Sequence, residues 1–146
     1  MWLRVSLVVA AAAVTAILFL PASGPAATPG SYPSCGTYRN HNLPGTSAAQ
    51  GRVEACIVKA SREGRRARAV AVLTTIEGDP IATYFFVGGR RDVLVVVDTT
   101  RDAFGPREWQ RSRCTRLTLE GKYLGWAGCV ELGEGKPPWL KPVKLG

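Results

Sequence analysis

The stretch IATYFFVGGRRDVLVVVD, residues 81–98, decides the fold. Both halves are rich in β-branched and aromatic residues, which suit a pleated surface. Gly88-Gly89 between them readily supplies the positive φ angles of a two-residue hairpin turn. Leu94 to Val97 is apolar on both faces, so its strand belongs in the middle of a sheet, with a helix covering one side.

Upstream, residues 67–76 (ARAVAVLTTI) keep the strand character up to the turn Glu77-Gly78-Asp79-Pro80. Pro80 is tolerable there because it opens a strand. Further upstream the period becomes helical. Ser47-Ala48-Ala49-Gln50 reads as a capping box, in which hydroxyl and amide satisfy orphan backbone N–H groups reciprocally. Val53, Cys56, Ile57 and Ala60 then fall on one face, Arg62 suits the negative end of the helix dipole, and Gly64 suits the residue past the end. One helix is predicted over 47–63. Gly51 within it costs about 1 kcal/mol relative to Ala, which tertiary packing absorbs. Residues 27–46, with three Pro-containing turns, read as a loop segment.

Downstream, CTRLTLEGKYLGWAGC, residues 114–129, carries Gly121-Lys122 at its centre, the signature of a type II′ hairpin. With that turn, Glu120 faces Tyr123 and Cys114 faces Cys129. Opposed strand residues lie about 4.5–5.5 Å apart between Cα atoms, a separation that a disulfide accepts. Leu117, Leu119, Leu124 and Trp126 then share the other face. A Cys114–Cys129 bridge is expected, leaving Cys35–Cys56 to tie the N-terminal segment to the helix; two other pairings are formally open. Residues 133–146 form a Gly/Pro/Lys-rich tail without a core pattern, expected to be extended or disordered.

The N-terminus has its own logic. Arg4 precedes Val5–Leu20, 16 residues without a charge, then Pro21 and the small residues ASGPAAT. That order is a secretory signal, with cleavage expected after Ala26. An uncleaved anchor is the alternative, but the apolar run is shorter than the ~20 residues that span a bilayer. The expected division is therefore signal 1–26, loop segment 27–46, an α+β domain over 47–132, and tail 133–146. Loss of Arg4 leaves 18 basic against 11 acidic residues, a net of +7. About 120 residues remain, enough for one domain. Four cysteines in an oxidising compartment read as two disulfides rather than a zinc site, since there is no Cys-x-x-Cys pair and His41 is the only histidine.

The expected architecture is α+β: one N-terminal helix on an antiparallel, mostly meander sheet of about five strands. An up-and-down order gathers Gly78-Asp79-Pro80, the charged knot Asp98-Thr99-Thr100-Arg101-Asp102 and the Cys114–Cys129 bridge at one end. Arg65, Arg66, Arg68, Arg90, Arg91 and Lys122 gather at the other. Asp79, Asp98, Arg101 and Asp102 are the candidate binding residues. The plainer reading has Asp79 and Asp98 capping turns and Arg101 pairing with Asp102.

Gly78-Asp79-Pro80-Ile81, Asp98 to Arg101-Asp102 with Phe104-Gly105, then Cys114, Tyr123-Leu124 and Cys129, resemble a family of small secreted or lipid-anchored Gram-positive domains of unknown function. The resemblance spans roughly residues 70–130 and implies a secreted α+β domain; it implies no activity. Cys35 is preceded by Tyr32-Pro33-Ser34 rather than the small residues of a lipobox.

The catalytic motifs Gly-x-Ser-x-Gly and His-Glu-x-x-His are missing, as is a phosphate-cradling glycine loop. The leading expectation is a non-catalytic extracytoplasmic binding module without cofactor or metal, monomeric, meeting a protein partner or an anionic envelope component. A protease inhibitor belongs to this class, and an exposed, rigid 99–111 loop favours it. The alternative is a small hydrolase using carboxylates, favoured by a deep cleft beside Asp98 and Asp102. Export argues against a nucleic-acid partner, and membrane contact is expected only through an uncleaved signal.

Overall fold

The computed structural model describes residues 32–40, 47–121 and 123–145; the segment expected as a signal, His41 and Lys122 lie outside them. In chain order the elements are β1 (Ser34–Asn40), α1 (Ala48–Glu63), β2 (Ala67–Thr74), β3 (Pro80–Gly89), β4 (Asp92–Asp98), β5 (Trp109–Cys114), β6 (Arg116–Glu120), β7 (Tyr123–Ala127) and β8 (Val130–Glu134). The main sheet runs β1-β2-β3-β4-β5-β8, and β6-β7 is a separate hairpin. The expected α+β class holds, with one helix on a largely antiparallel sheet. Two features go beyond the expectation: the sheet has six strands, and β1 joins β2 in parallel. Part of the segment expected as loop is therefore an edge strand.

Helix α1 starts as its sequence dictates: the Ser47 hydroxyl accepts from Gln50 N at 3.1 Å. The other half of the expected capping box does not form, because the Gln50 amide is used between the helix and β1. Its Nε2 donates to Glu54 and its Oε1 accepts from Asn40 Nδ2. The helix ends at Gly64 with φ 69°. A side chain there meets a second obstacle, since a Cβ would lie 2.5 Å from Arg90 Cγ.

One face of the sheet packs Phe85, Val87, Val93 and Val95 against Ile57, Val58 and Ala60 of α1, with Leu117 of the small hairpin completing the layer. The hairpin register is the expected one, Glu120 opposite Tyr123 through Arg116 opposite Ala127. Both disulfides are the expected pairs: Cys35–Cys56 and Cys114–Cys129, with Cα separations of 5.7 and 3.9 Å.

The opposite face is where the tail corrects the sequence reading. Val72, Ala82, Tyr84, Phe86 and Val96 form a second buried layer, and the cover is the C-terminal chain, with Leu140 only 6% exposed and Val143 and Leu145 packed beside it. Trp139 meets Phe86 edge-on, with centroids 5.1 Å apart. Polar bonds hold this strap in place. Arg39 Nη2 donates to Lys144 O, Arg101 Nη1 to Leu145 O, and Val143 N to the Tyr84 hydroxyl. Residues 130–134 of the same terminal stretch form β8.

The β3–β4 turn is also displaced from its expected place. Gly88 and Gly89 continue β3, Gly89 pairs with Asp92, and the turn falls on Arg90-Arg91, with Arg91 at φ 57°. The polar strand β5, which the expected topology lacked, reverses the chain once more. Cys114 pairs with Val93, beside the Arg90-Arg91 turn, so the Cys114–Cys129 bridge sits at the basic end and not beside the Asp98 knot.

Candidate functional site

The end holding Asp79, Asp98, Arg101 and Asp102 is built from the β2–β3 turn and the long β4–β5 loop, residues 99–108. Asp98 closes β4, is buried, and its Oδ1 accepts from both N and Oγ1 of Thr100, at 3.0 and 2.6 Å. Asp79 Oδ2 accepts from Ala103 N at 2.8 Å, fastening one turn to the other. Asp102 Oδ1 accepts from Phe104 N and Gly105 N, at 3.0 and 2.9 Å. All three carboxylates thus hold backbone. Arg101 does not pair with Asp102; it reaches the strap instead. Asp79 and Arg101 line one small cavity of about 280 Å³ with Arg39 and Thr74, and Asp98 and Asp102 are not on its wall.

The loop they brace is unusual in what it displays. Thr99 Oγ1 donates to Glu108 O, Thr99 N to the same carbonyl, and Arg107 Nε to Asp102 O. Gly105 leaves room for the brace, since a Cβ there would lie 2.4 Å from Asp102 Oδ2 and would push the carboxylate aside. At the top of this fastened loop Phe104 is 80% exposed.

The basic end divides differently from the sequence grouping. Arg65 pairs with Glu63 at 2.6 Å, and Arg66 lies 5.9 Å above the Tyr32 ring. Arg68 lines a cleft under the strap. Arg90 and Arg91 instead join Arg62, from the last turn of α1, and Arg116, from β6, around a cavity of about 620 Å³ that also includes Glu120. Among the described residues none of these four arginines is in an ion pair. Arg62 and Arg116 were missed because their neighbours here are distant in sequence.

A buried polar group was also missed. Glu54, 3% exposed, accepts from the Tyr38 hydroxyl at 2.8 Å and from Gln50 Nε2 at 3.1 Å. Burial first, and then the bond to Glu54 and its charge, push the Tyr38 hydroxyl well above the ordinary tyrosine value. The signal was present: Gln50, Glu54, Ile57 and Ser61 follow helical spacing on the inward face.

Among the described residues no three His, Cys, Asp or Glu side chains are grouped as metal ligands would be, and no helix is long and apolar enough to cross a membrane. No protein-family model, curated protein or solved structure matches the chain.

Proposed function

We propose that the protein is an extracytoplasmic, non-catalytic binding module that engages a protein partner through the 99–108 loop. The observation that carries this reading is Phe104, a large apolar side chain displayed on a loop fastened from within and from the β2–β3 turn. A fully buried Phe gains about 1.5–3 kcal/mol over an exposed one, so an exposed Phe on a braced loop is a ready anchor for a partner's pocket. Bracing lowers the entropy cost of association. The signal-like N-terminus, the two bridges and the resemblance to small secreted Gram-positive domains support an extracytoplasmic setting. A protease-inhibitor role has less support, because Asp102 curls residues 103–105 into a turn, whereas proteases take their substrates extended.

The test is capture from envelope and secreted fractions with the oxidised domain, wild type against Phe104→Ala. A protein retained by the wild type and lost by the variant supports the reading. Identical captured sets would sink it.

The four-arginine cavity favours a second reading, docking on an anionic envelope polymer. Arg62, Arg90, Arg91 and Arg116 converge from three elements, and Arg91 holds a left-handed backbone that costs a non-glycine residue roughly 1 kcal/mol or more. Attraction of this kind is screened over a Debye length of ~8 Å at physiological ionic strength. Binding of an anionic polymer at low salt, lost in the variant with all four changed to Gln, supports it; retention in that variant refutes it.

A further inference from the structure

We propose that the cleft between the C-terminal strap and β1–β3 binds a single-chain amphiphile with an anionic head, a free fatty-acid carboxylate. The cleft has a volume of about 490 Å³, within the roughly 300–1,000 Å³ range of small-molecule sites. Its walls are apolar on both sides: Val70 and Phe86 from the sheet, Trp139, Leu140 and Val143 from the strap. Among the described residues, Arg68 and Lys141 are its charged lining residues, both exposed, and no acidic side chain lines it. The Ser34 and Thr37 side chains add hydrogen-bonding capacity.

An apolar slot with cations and no anions selects a ligand with the complementary division, a hydrocarbon chain and a negative head. A neutral hydrocarbon leaves the cations unused, and a polyanion leaves the apolar walls wet. The occupant is one chain rather than a membrane surface, because the strap lies across the apolar walls. Leu140 and Phe86 are both buried in that arrangement, so the apolar surface lies between layers and not on an outward patch. A chain enters edgewise, its head left at Arg68 and Lys141. This site is separate from both the 99–108 loop and the four-arginine cavity.

Chain length gives the first reading. Each methylene removed from water contributes a factor of about four in affinity, so binding of the C8 to C14 saturated carboxylates should tighten stepwise until the cleft is full. The experiment titrates the full oxidised chain with these acids below their micelle concentrations, following tryptophan fluorescence and calorimetry. The expected result is saturable one-to-one binding that tightens with length. Replacing Arg68 and Lys141 together by Gln should weaken the carboxylate about tenfold or more while leaving the matching alcohols unchanged, and both side chains are exposed, so this variant should fold. Val70→Trp should fill the slot and abolish binding of acids and alcohols alike. The variant with Arg62, Arg90, Arg91 and Arg116 changed to Gln should bind as the wild type does. Absence of saturable binding, equal carboxylate affinity in the Arg68/Lys141 variant, or binding only to anionic vesicles would each overturn the proposal.

Discussion

Val143 donates its backbone N–H to the hydroxyl of Tyr84, 59 positions earlier, at 3.0 Å. The bond lies at the boundary between the strap and the sheet, next to buried Leu140. It explains how a Pro- and Lys-rich terminus becomes part of the core: few of its residues are apolar, but those few are aligned over β3 by polar fastenings.

Shortening Leu140 to Ala should therefore destabilise the domain by about 2–4 kcal/mol, the range for removing a large buried side chain. Lys144→Ala, which leaves the carbonyl that Arg39 uses, should be close to neutral. Urea midpoints of the oxidised proteins measure both. A neutral Leu140→Ala would mean that the strap is not part of the cooperative unit.

The Tyr38–Glu54 pair gives a pH dependence with a definite sign. Folding raises the Tyr38 hydroxyl above its ordinary value, so its contribution is full below about pH 10, the unfolded tyrosine range. That contribution is lost as pH rises through the folded value. Tyr84 is shifted in the same direction, chiefly by burial, so it adds to the trend. Stability should therefore begin to fall as pH rises above about 10, the unfolded tyrosine value, and go on falling towards the raised folded values. Tyr38→Phe should flatten that fall and cost about 1–3 kcal/mol at neutral pH, because a buried carboxylate oxygen loses a donor. Urea titrations at several pH values read out both effects.

The Cys114–Cys129 bridge spans a separation of 15 residues. Chain entropy assigns such a loop about 3 kcal/mol. Replacing both cysteines by Ala should lower stability by that order, and non-reducing peptide mapping of the wild type should recover the 114–129 pair. A Cys56–Cys129 peptide would contradict the hairpin register.

Phe104→Ala should leave stability within about 0.5 kcal/mol, since an exposed side chain contributes little to folding. Gly105→Ala should displace the Asp102 carboxylate and loosen the loop, reducing partner capture while Phe104 is still present. If capture survives Gly105→Ala at full strength, the bracing is irrelevant to recognition.

Periodicity made the helix, strands β2 to β4 and the small hairpin legible, because each segment carries its own pattern. Ser47 and Gly64 marked the helix ends by local chemistry, and Gly121 set the register that joins Cys114 to Cys129. What escaped was held together by partners distant in sequence. Strand β5, with Gln110, Arg111, Ser112 and Arg113, has no apolar alternation; backbone pairing to β4 makes it a strand. Arg111 Nη2 adds bonds to the carbonyls of Leu132 and Glu134 in β8. Missing β5 put the Cys114–Cys129 bridge at the wrong end, since each omitted strand inverts all that follows. The strap had one unused clue: Leu94 to Val97 is apolar on both faces, and a single helix covers only one. At the knot, Asp98 reads as a turn cap and its geometry agrees, whereas Asp102, expected to pair with Arg101, holds the backbone of Phe104 and Gly105 instead; the Arg101 partner, Leu145, was beyond local reasoning.

The strap also constrains the order of folding. Arg39 and Lys144 are 105 positions apart, and the second core layer closes only when the last residues lie over strands made near the beginning. A chain still emerging from a ribosome has the helical side of its sheet available for packing, while the other side waits for Leu140, Val143 and Leu145. Contacts of such long sequence separation slow folding. The second layer therefore forms only after residues 139–145 have been made, however early the helical side has packed.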